Sequence, residues 1–387
     1  MFGALAAALT LATAAPSVAE QGITDSTVRF AQVAALDGPA SALGQGMRTG
    51  ILAAFEEANA NGGIHGRTVS LDSFDDGYEP DQSVELVRQV IGDNDHIGFI
   101  GPVGTPTSRA TQPIATEADM PFIGPFTGAG FLRAEELDNV VNIRATYAAE
   151  TEAWIAHLVD ELGMSSVAIL YQDDGFGRVG LAGVTAALER RGMTLVGEGT
   201  YTRNTVAVKT ALINIRKTEP EAVVMVGANK PIAEFIKLSQ KLKFNPTFVN
   251  ISFVGSNALR QELGDAGDGV IISQVVPFPW DTSLPIVQEY HDALAASGAG
   301  TEPDFVSFEG YLVGRIALRA LENAGPEVDR YTYLAALQSL GAFSLGGLAF
   351  DYGPGDNQGL DDVFLTRINA AGDFEFVESS KQHASSN

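Results

Sequence analysis

Twice between His96 and Gly130 a short apolar run opens directly into a loop of glycine, proline and threonine. Residues 97–100, Ile-Gly-Phe-Ile, lead into Gly-Pro-Val-Gly-Thr-Pro-Thr at 101–107. Phe122-Ile123 lead into Gly-Pro-Phe-Thr-Gly-Ala-Gly at 124–130. Helix-compatible sequence, 108–118, lies between them. A strand that runs through such a loop into a helix is the repeating unit of an open α/β sheet, where free backbone N–H groups and helix dipoles face a ligand crevice. Small residues there let an acceptor-rich group such as a carboxylate approach the backbone closely. Thr105, Thr107 and Thr127 would add hydroxyls. Taken alone, the two loops are equally consistent with ordinary βα turns.

The same alternation extends along the chain. Strands are expected over 28–34, 69–74 and 140–144. Helices are expected near 44–61, where Met47, Ile51, Phe55 and Ala58 share one face, and after Pro80, where Val84, Val87 and Ile91 do. A second cycle follows, with helices over 154–162, 180–191, 207–217 and 232–241. Its strands are expected over 167–171, 194–196, 223–226, 248–250 and 270–275. One sheet does not comfortably hold so many strands, so the chain is read as two mostly parallel lobes covered by helices. Helices over 285–296 and 305–324 and strands over 343–350 and 363–369 are too little for a third domain. They complete the first two, which requires the chain to cross between lobes more than once and so makes a hinge. The stretch after Val377 reads as a disordered tail, 378–387.

The formal charge is −24, from 24 basic and 48 acidic residues. That excess repels nucleic acid and anionic membrane surfaces. The chain has no cysteine, which excludes disulfides, zinc–thiolate sites and thiol catalysis, and its five histidines show no metal-ligand spacing. Residues 1–19 are uncharged and rich in Ala and Leu, and Ser17-Val18-Ala19 fits a signal-peptidase site. An exported protein cleaved near Ala19 is expected, with an uncleaved anchor as the alternative.

Gly175-Phe-Gly-Arg-Val-Gly180 fits the GxGxxG dinucleotide pattern, but Asp173 and Asp174 stand where a pyrophosphate would be repelled. A tight βα turn with Phe176 facing the cleft is the preferred reading. The acidic pairs at 75–76, 173–174 and 361–362 sit at strand ends and turns, where Asp caps cheaply. Residues 351–359 have a calcium-loop composition without its ligand periodicity. No GxSxG, Walker A or HExxH sequence is present. No cofactor, metal or catalytic residue is assigned. A Rossmann-type enzyme remains the remote alternative, resting only on 175–180.

Six pieces in order carry a family resemblance: Gly38-Pro39 with Leu43-Gly44; Glu57-Ala58-Asn59; Asn61-Gly-Gly-Ile-His-Gly-Arg67; Asp75-Asp76; the two loops; and Phe308-Glu-Gly-Tyr311. The chain resembles the leucine/isoleucine/valine-binding proteins, type I periplasmic solute-binding proteins of ABC importers. The resemblance covers essentially the whole mature chain. It implies an α/β fold of two doubly wound parallel-sheet lobes joined by a three-crossing hinge, crossing near Arg144, Val276 and Gly346. Residues 20–143 and 276–345 would form lobe one, and 144–275 with 346–377 lobe two.

The resemblance also implies a site. Gly104, Thr105, Thr127, Gly128 and Ala129 would hold a ligand carboxylate, Phe176 would pack on the ligand, and Asn229 and Lys230 would line the cleft from lobe two. Ser252 stands where leucine-type binders place the acid that holds the ammonium. Lys230 is read either as a cleft cation favouring a second anionic group or as a solvent-facing cap beside Pro231. Apolar ligand surface would meet Phe126, Phe176 and either Phe253 or Trp280. The implied partners are a small carboxylate-bearing ligand and an inner-membrane ABC permease, with no nucleic acid, and the implied state is a periplasmic monomer. A ligand-sensing receptor of the same fold is the alternative function.

Overall fold

The computed structural model describes residues 21–298 and 302–377. The leader 1–19 and the tail 378–387 lie outside the described residues. The first cycle runs β1 (Thr27–Ala34), α1 (Ser41–Ala60), β2 (Thr68–Asp75), α2 (Pro80–Asp93), β3 (Phe99–Ile100), α3 (Thr105–Glu117), β4 (Phe122–Ile123) and β5 (Val140–Val141). The second runs α4 (Tyr147–Ile155), β6 (Val167–Gln172), α5 (Gly175–Glu189), β7 (Gly197–Tyr201), α6 (Lys209–Arg216), β8 (Ala222–Val226), α7 (Asn229–Lys241), β9 (Thr247–Asn250), α8 (Ser256–Leu263) and β10 (Ile271–Gln274). Then come α9 (Pro285–Ala296), α10 (Phe305–Ala324), α11 (Arg330–Gln338), the hairpin β11 (Ala342–Leu345) and β12 (Leu348–Asp351), and finally β13 (Phe364–Ile368) and β14 (Phe374–Phe376).

The strands form two principal sheets. One has the order β2-β1-β3-β4-β5, parallel throughout. The other has the order β14-β13-β10-β9-β8-β6-β7, with β10 to β7 parallel and β13 and β14 antiparallel at one edge. Central strands such as β8 are apolar along their whole length and buried throughout, as a strand covered by helices on both faces requires. Helix α1 turns Met47, Ile51 and Phe55 inward and ends where the Gly63 N–H reaches Ala58 O at 2.9 Å. Helices α9 and α10 return from the second sheet to pack on α1, so they belong to the first lobe.

The chain crosses between sheets after β5, after β10 and before β13. The last crossing lies later than Gly346. Gly346 and Gly347, at φ +47° and +90°, make the turn of the β11–β12 hairpin instead. Residues 357–360 then run beside the first crossing, with Asn142 N–H on Asn357 O at 2.7 Å and Leu360 N–H on Ile143 O at 2.8 Å. Strand β7 also departs from its expected place at 194–196. Its first three residues, Gly-Glu-Gly, have little strand propensity and are held by the register with β6.

Each parallel order reverses once, between β1 and β3 in the first sheet and between β6 and β8 in the second. Crevices outside the carboxyl ends of strands at such reversals are where open α/β sheets bind ligands. The residues leaving β3, β6 and β8 are Gly101, Asp173 and Gly227.

Candidate functional site

The first-lobe half is built on the loop after β3. Gly104 has φ +105°, and a Cβ there would lie 2.2 Å from Cε2 of Tyr78. Only glycine lets the chain turn into α3 with that ring against it. Thr105 is the first residue of α3, not part of the preceding loop as expected. Its Oγ1 lies 2.7 Å from Oγ1 of Thr127, and both residues are fully buried. Ala129 N–H donates to Thr127 Oγ1 at 3.3 Å. The N–H groups of the first turn of α3 have no helical partner and carry the positive end of its dipole, so this end suits an anion. Thr107 does not join it: its hydroxyl donates back to Gly104 O at 3.0 Å.

Tyr147 completes this half. Its N–H donates to Gly128 O at 2.8 Å, and its ring covers Gly128. Its buried hydroxyl has no partner. Burial pushes the phenol up to about 12, which keeps the proton in place as a donor.

The second-lobe half starts at Asp174, whose Oδ1 accepts the Phe176 N–H at 2.9 Å and caps α5. The run 175–180 is the start of that helix rather than a turn preceding it. Gly177 is small because a Cβ would lie 1.9 Å from Gln172 O. Gly180 is likewise constrained, since a Cβ there would lie 2.5 Å from Val226 Cγ2, so two glycines of the pattern serve helix–strand packing. Phe176 is fully buried, its ring 5.5 Å from Tyr147 and 4.6 Å from Phe253. Phe253, in the turn after β9, also reaches Phe126 at 5.6 Å and Tyr78 at 6.0 Å. Rings from both lobes thus close on one another. Trp280 is elsewhere, stacked on Phe374 at 5.7 Å among Phe278 and Phe305.

Beside the rings lies an uncharged polar group. Tyr201 OH donates to Gln172 Oε1 at 3.2 Å and accepts the Ala228 N–H at 3.1 Å. Asn229, the first residue of α7, is buried with Oδ1 unpartnered. Lys230 is solvent-exposed. The first turn of α7 directs Asn229 inward and the lysine outward.

Ser252 is buried, and its hydroxyl is engaged. It donates to Glu150 Oε1 at 2.9 Å and receives Arg144 Nη1 at 3.1 Å. Glu150 also accepts the Ser252 N–H at 2.9 Å and the Ser273 hydroxyl. Burial pushes its carboxyl up against the pull of Arg144. Arg144 in turn grips Glu309 through Nε at 2.8 Å and Nη2 at 2.7 Å, and lies 4.0 Å over the Phe126 ring. At the cleft mouth, Arg203 joins Asp174 at 2.9 Å to Glu79 at 2.7 Å, and Asn204 Nδ2 donates to Gly77 O at 2.9 Å. Sequence reasoning missed Tyr78, Tyr147, Glu150, Arg203 and Asn204. Each acts through a partner distant in sequence, and no local motif marks it. Among the described residues no cluster of metal-ligating side chains occurs, and 351–359 forms a turn closed by Gly353 and Asp356.

A family model described as periplasmic binding protein matches residues 27–373. A Leu/Ile/Val-binding protein of Rhizobium johnstonii is 24% identical over 329 residues, covering 84% of this chain and 88% of that protein. The Leu/Ile/Val-binding protein homolog 2 of Brucella abortus is 28% identical over 348 residues, covering 86% and 89%. The crystal structure of a possible leucine/isoleucine/valine-binding protein from Rhodopirellula baltica superposes with a TM-score of 0.86 at 36% identity, covering 94% of this chain and 98% of that one.

Proposed function

The chain belongs to the periplasmic binding protein family, and we propose that it captures a small carboxylate-bearing ligand between its lobes and delivers it to an ABC permease. In this reading the protein is exported, cleaved near Ala19, and works as a monomer. Gly104, Thr105, Thr127, Gly128 and Ala129 take the carboxylate. Phe126, Phe176 and Phe253 cover the apolar body, and Asn229 and the turn at Ser252 close from the second lobe. Lobe closure about the hinge turns capture into a shape the permease can recognise.

The observation that supports this most is the convergence of loops at the carboxyl ends of strands of both sheets on one buried cluster, in which Thr105 meets Thr127 at 2.7 Å and Phe176 meets Phe253 at 4.6 Å. The relatives' names, which point to branched-chain amino acids for those proteins, support a small carboxylate as the ligand class.

Native mass spectrometry on protein purified from the periplasm tests capture. A bound carboxylate of low mass is expected. An empty protein that no carboxylate stabilises after refolding contradicts the reading. Delivery is tested by ATP hydrolysis of the reconstituted permease, which should rise only with the liganded protein.

A further inference from the structure

We propose that the ligand is an organic acid without an ammonium group, with an apolar body and an uncharged polar end. This rests on the capture of a carboxylate proposed above. A buried ammonium needs a carboxylate or several free acceptors, and the three acids nearest the rings, Glu150, Glu309 and Asp174, are already engaged. Glu150 receives the Ser252 N–H and the hydroxyls of Ser252 and Ser273. Glu309 gives both oxygens to Arg144. Asp174 receives the Phe176 N–H, Gln172 and Arg203. Ser252 offers only a hydroxyl, which both donates and accepts within this network.

The cations near the cleft are also engaged. Arg144 and Arg203 are paired with acids, Arg133 is bound to the carbonyls of Thr127, Ala129 and Arg144 and to Gln358, and Lys230 faces solvent. The surfaces left for a ligand are the aromatic rings and buried polar atoms without partners: Tyr147 OH and Ser108 Oγ at the carboxylate end, Asn229 Oδ1 from the second lobe, and Arg203 Nε at the mouth. Tyr147 covers Gly128 at the carboxylate end. Asn229 lies at the end of β8, where a hydroxyl or amide would satisfy it.

Calorimetry on unfolded and refolded protein with matched acids tests this. One set is 4-methylpentanoate, 4-methyl-2-oxopentanoate and leucine. The other is 3-phenylpropanoate, 3-(4-hydroxyphenyl)propanoate, phenylalanine and tyrosine, with succinate as the dicarboxylate. The acids lacking ammonium should bind at least tenfold tighter than the amino acid of the same skeleton, and tighter than succinate. Asn229→Leu should weaken the hydroxylated acid several-fold more than it weakens 3-phenylpropanoate. An amino acid or succinate that binds as tightly overturns the inference and leaves the proposed function standing. If no carboxylate binds, the proposed function falls and the inference with it.

Discussion

Arg144, on the first crossing between the lobes, is held by Glu309 of α10 through two hydrogen bonds of 2.8 and 2.7 Å, with both side chains almost fully buried. Removing one partner leaves the other charge buried without compensation, which costs about 3–5 kcal/mol. Glu309→Ala should therefore lower the unfolding free energy by that amount in denaturant titrations. A loss under about 1 kcal/mol would mean that water reaches Arg144 and relieves it.

The glycines of α5 make a paired prediction. Gly177→Ala drives a methyl into Gln172 O, whereas a Cβ at Gly175 meets nothing within 4 Å. Gly177→Ala should cost about 1–3 kcal/mol or more, and Gly175→Ala should be neutral or slightly stabilising. Equal effects in thermal unfolding would contradict the packing account of the glycine pattern.

Asp76 gives a pH dependence. Burial pushes its carboxyl up from 3.8 to about 6, against hydrogen bonds from Ser83 and the Tyr78 N–H and helped by the nearby charge of Asp75. The folded state thus favours the protonated form. This contribution is fully present below the unfolded pKa and is lost as pH rises through about 6. Relative to Asp76→Asn, the wild-type protein should lose up to about 3 kcal/mol between roughly pH 4 and pH 6. Parallel stability curves for the two proteins would contradict the assignment.

The position of the two Gly-Pro-Thr loops was legible because each follows a short apolar run that the structure makes a strand, β3 and β4. Helices α9 and α10 were legible to the residue, since Pro285 opens one and a long apolar periodicity defines the other. What closes the site was not. Arg144 and Glu309 are 165 residues apart, and Tyr78 and Gln172 are 94 apart. Tyr78 sits at φ +61°, which local sequence does not announce. Helix α11 was missed because it has nine residues and little more than its Asp329–Thr332 capping box to mark it. Lys230 was ambiguous because a one-residue shift on a helix moves a side chain by 100°.

Arg203 and Asn204 reach Glu79 and Gly77 across the cleft mouth. These groups are partly exposed, so the clasp is worth about 1 kcal/mol or less. Arg203→Ala combined with Asn204→Ala should raise the ligand off-rate up to about fivefold with little change in on-rate, as read by stopped flow. An unchanged off-rate would mean that closure does not depend on the clasp.

The most direct test of the account is the affinity of Thr105→Val/Thr127→Val for the carboxylate recovered from the native protein. The substitutions keep shape but remove the two buried hydroxyls proposed to hold the anion. Hydrogen bonds to a charged group are worth about 1.5–3 kcal/mol each. Titration calorimetry should show affinity falling roughly a hundredfold or more while the variant still unfolds cooperatively. An affinity within about threefold of wild type would contradict the placement of the ligand between these lobes.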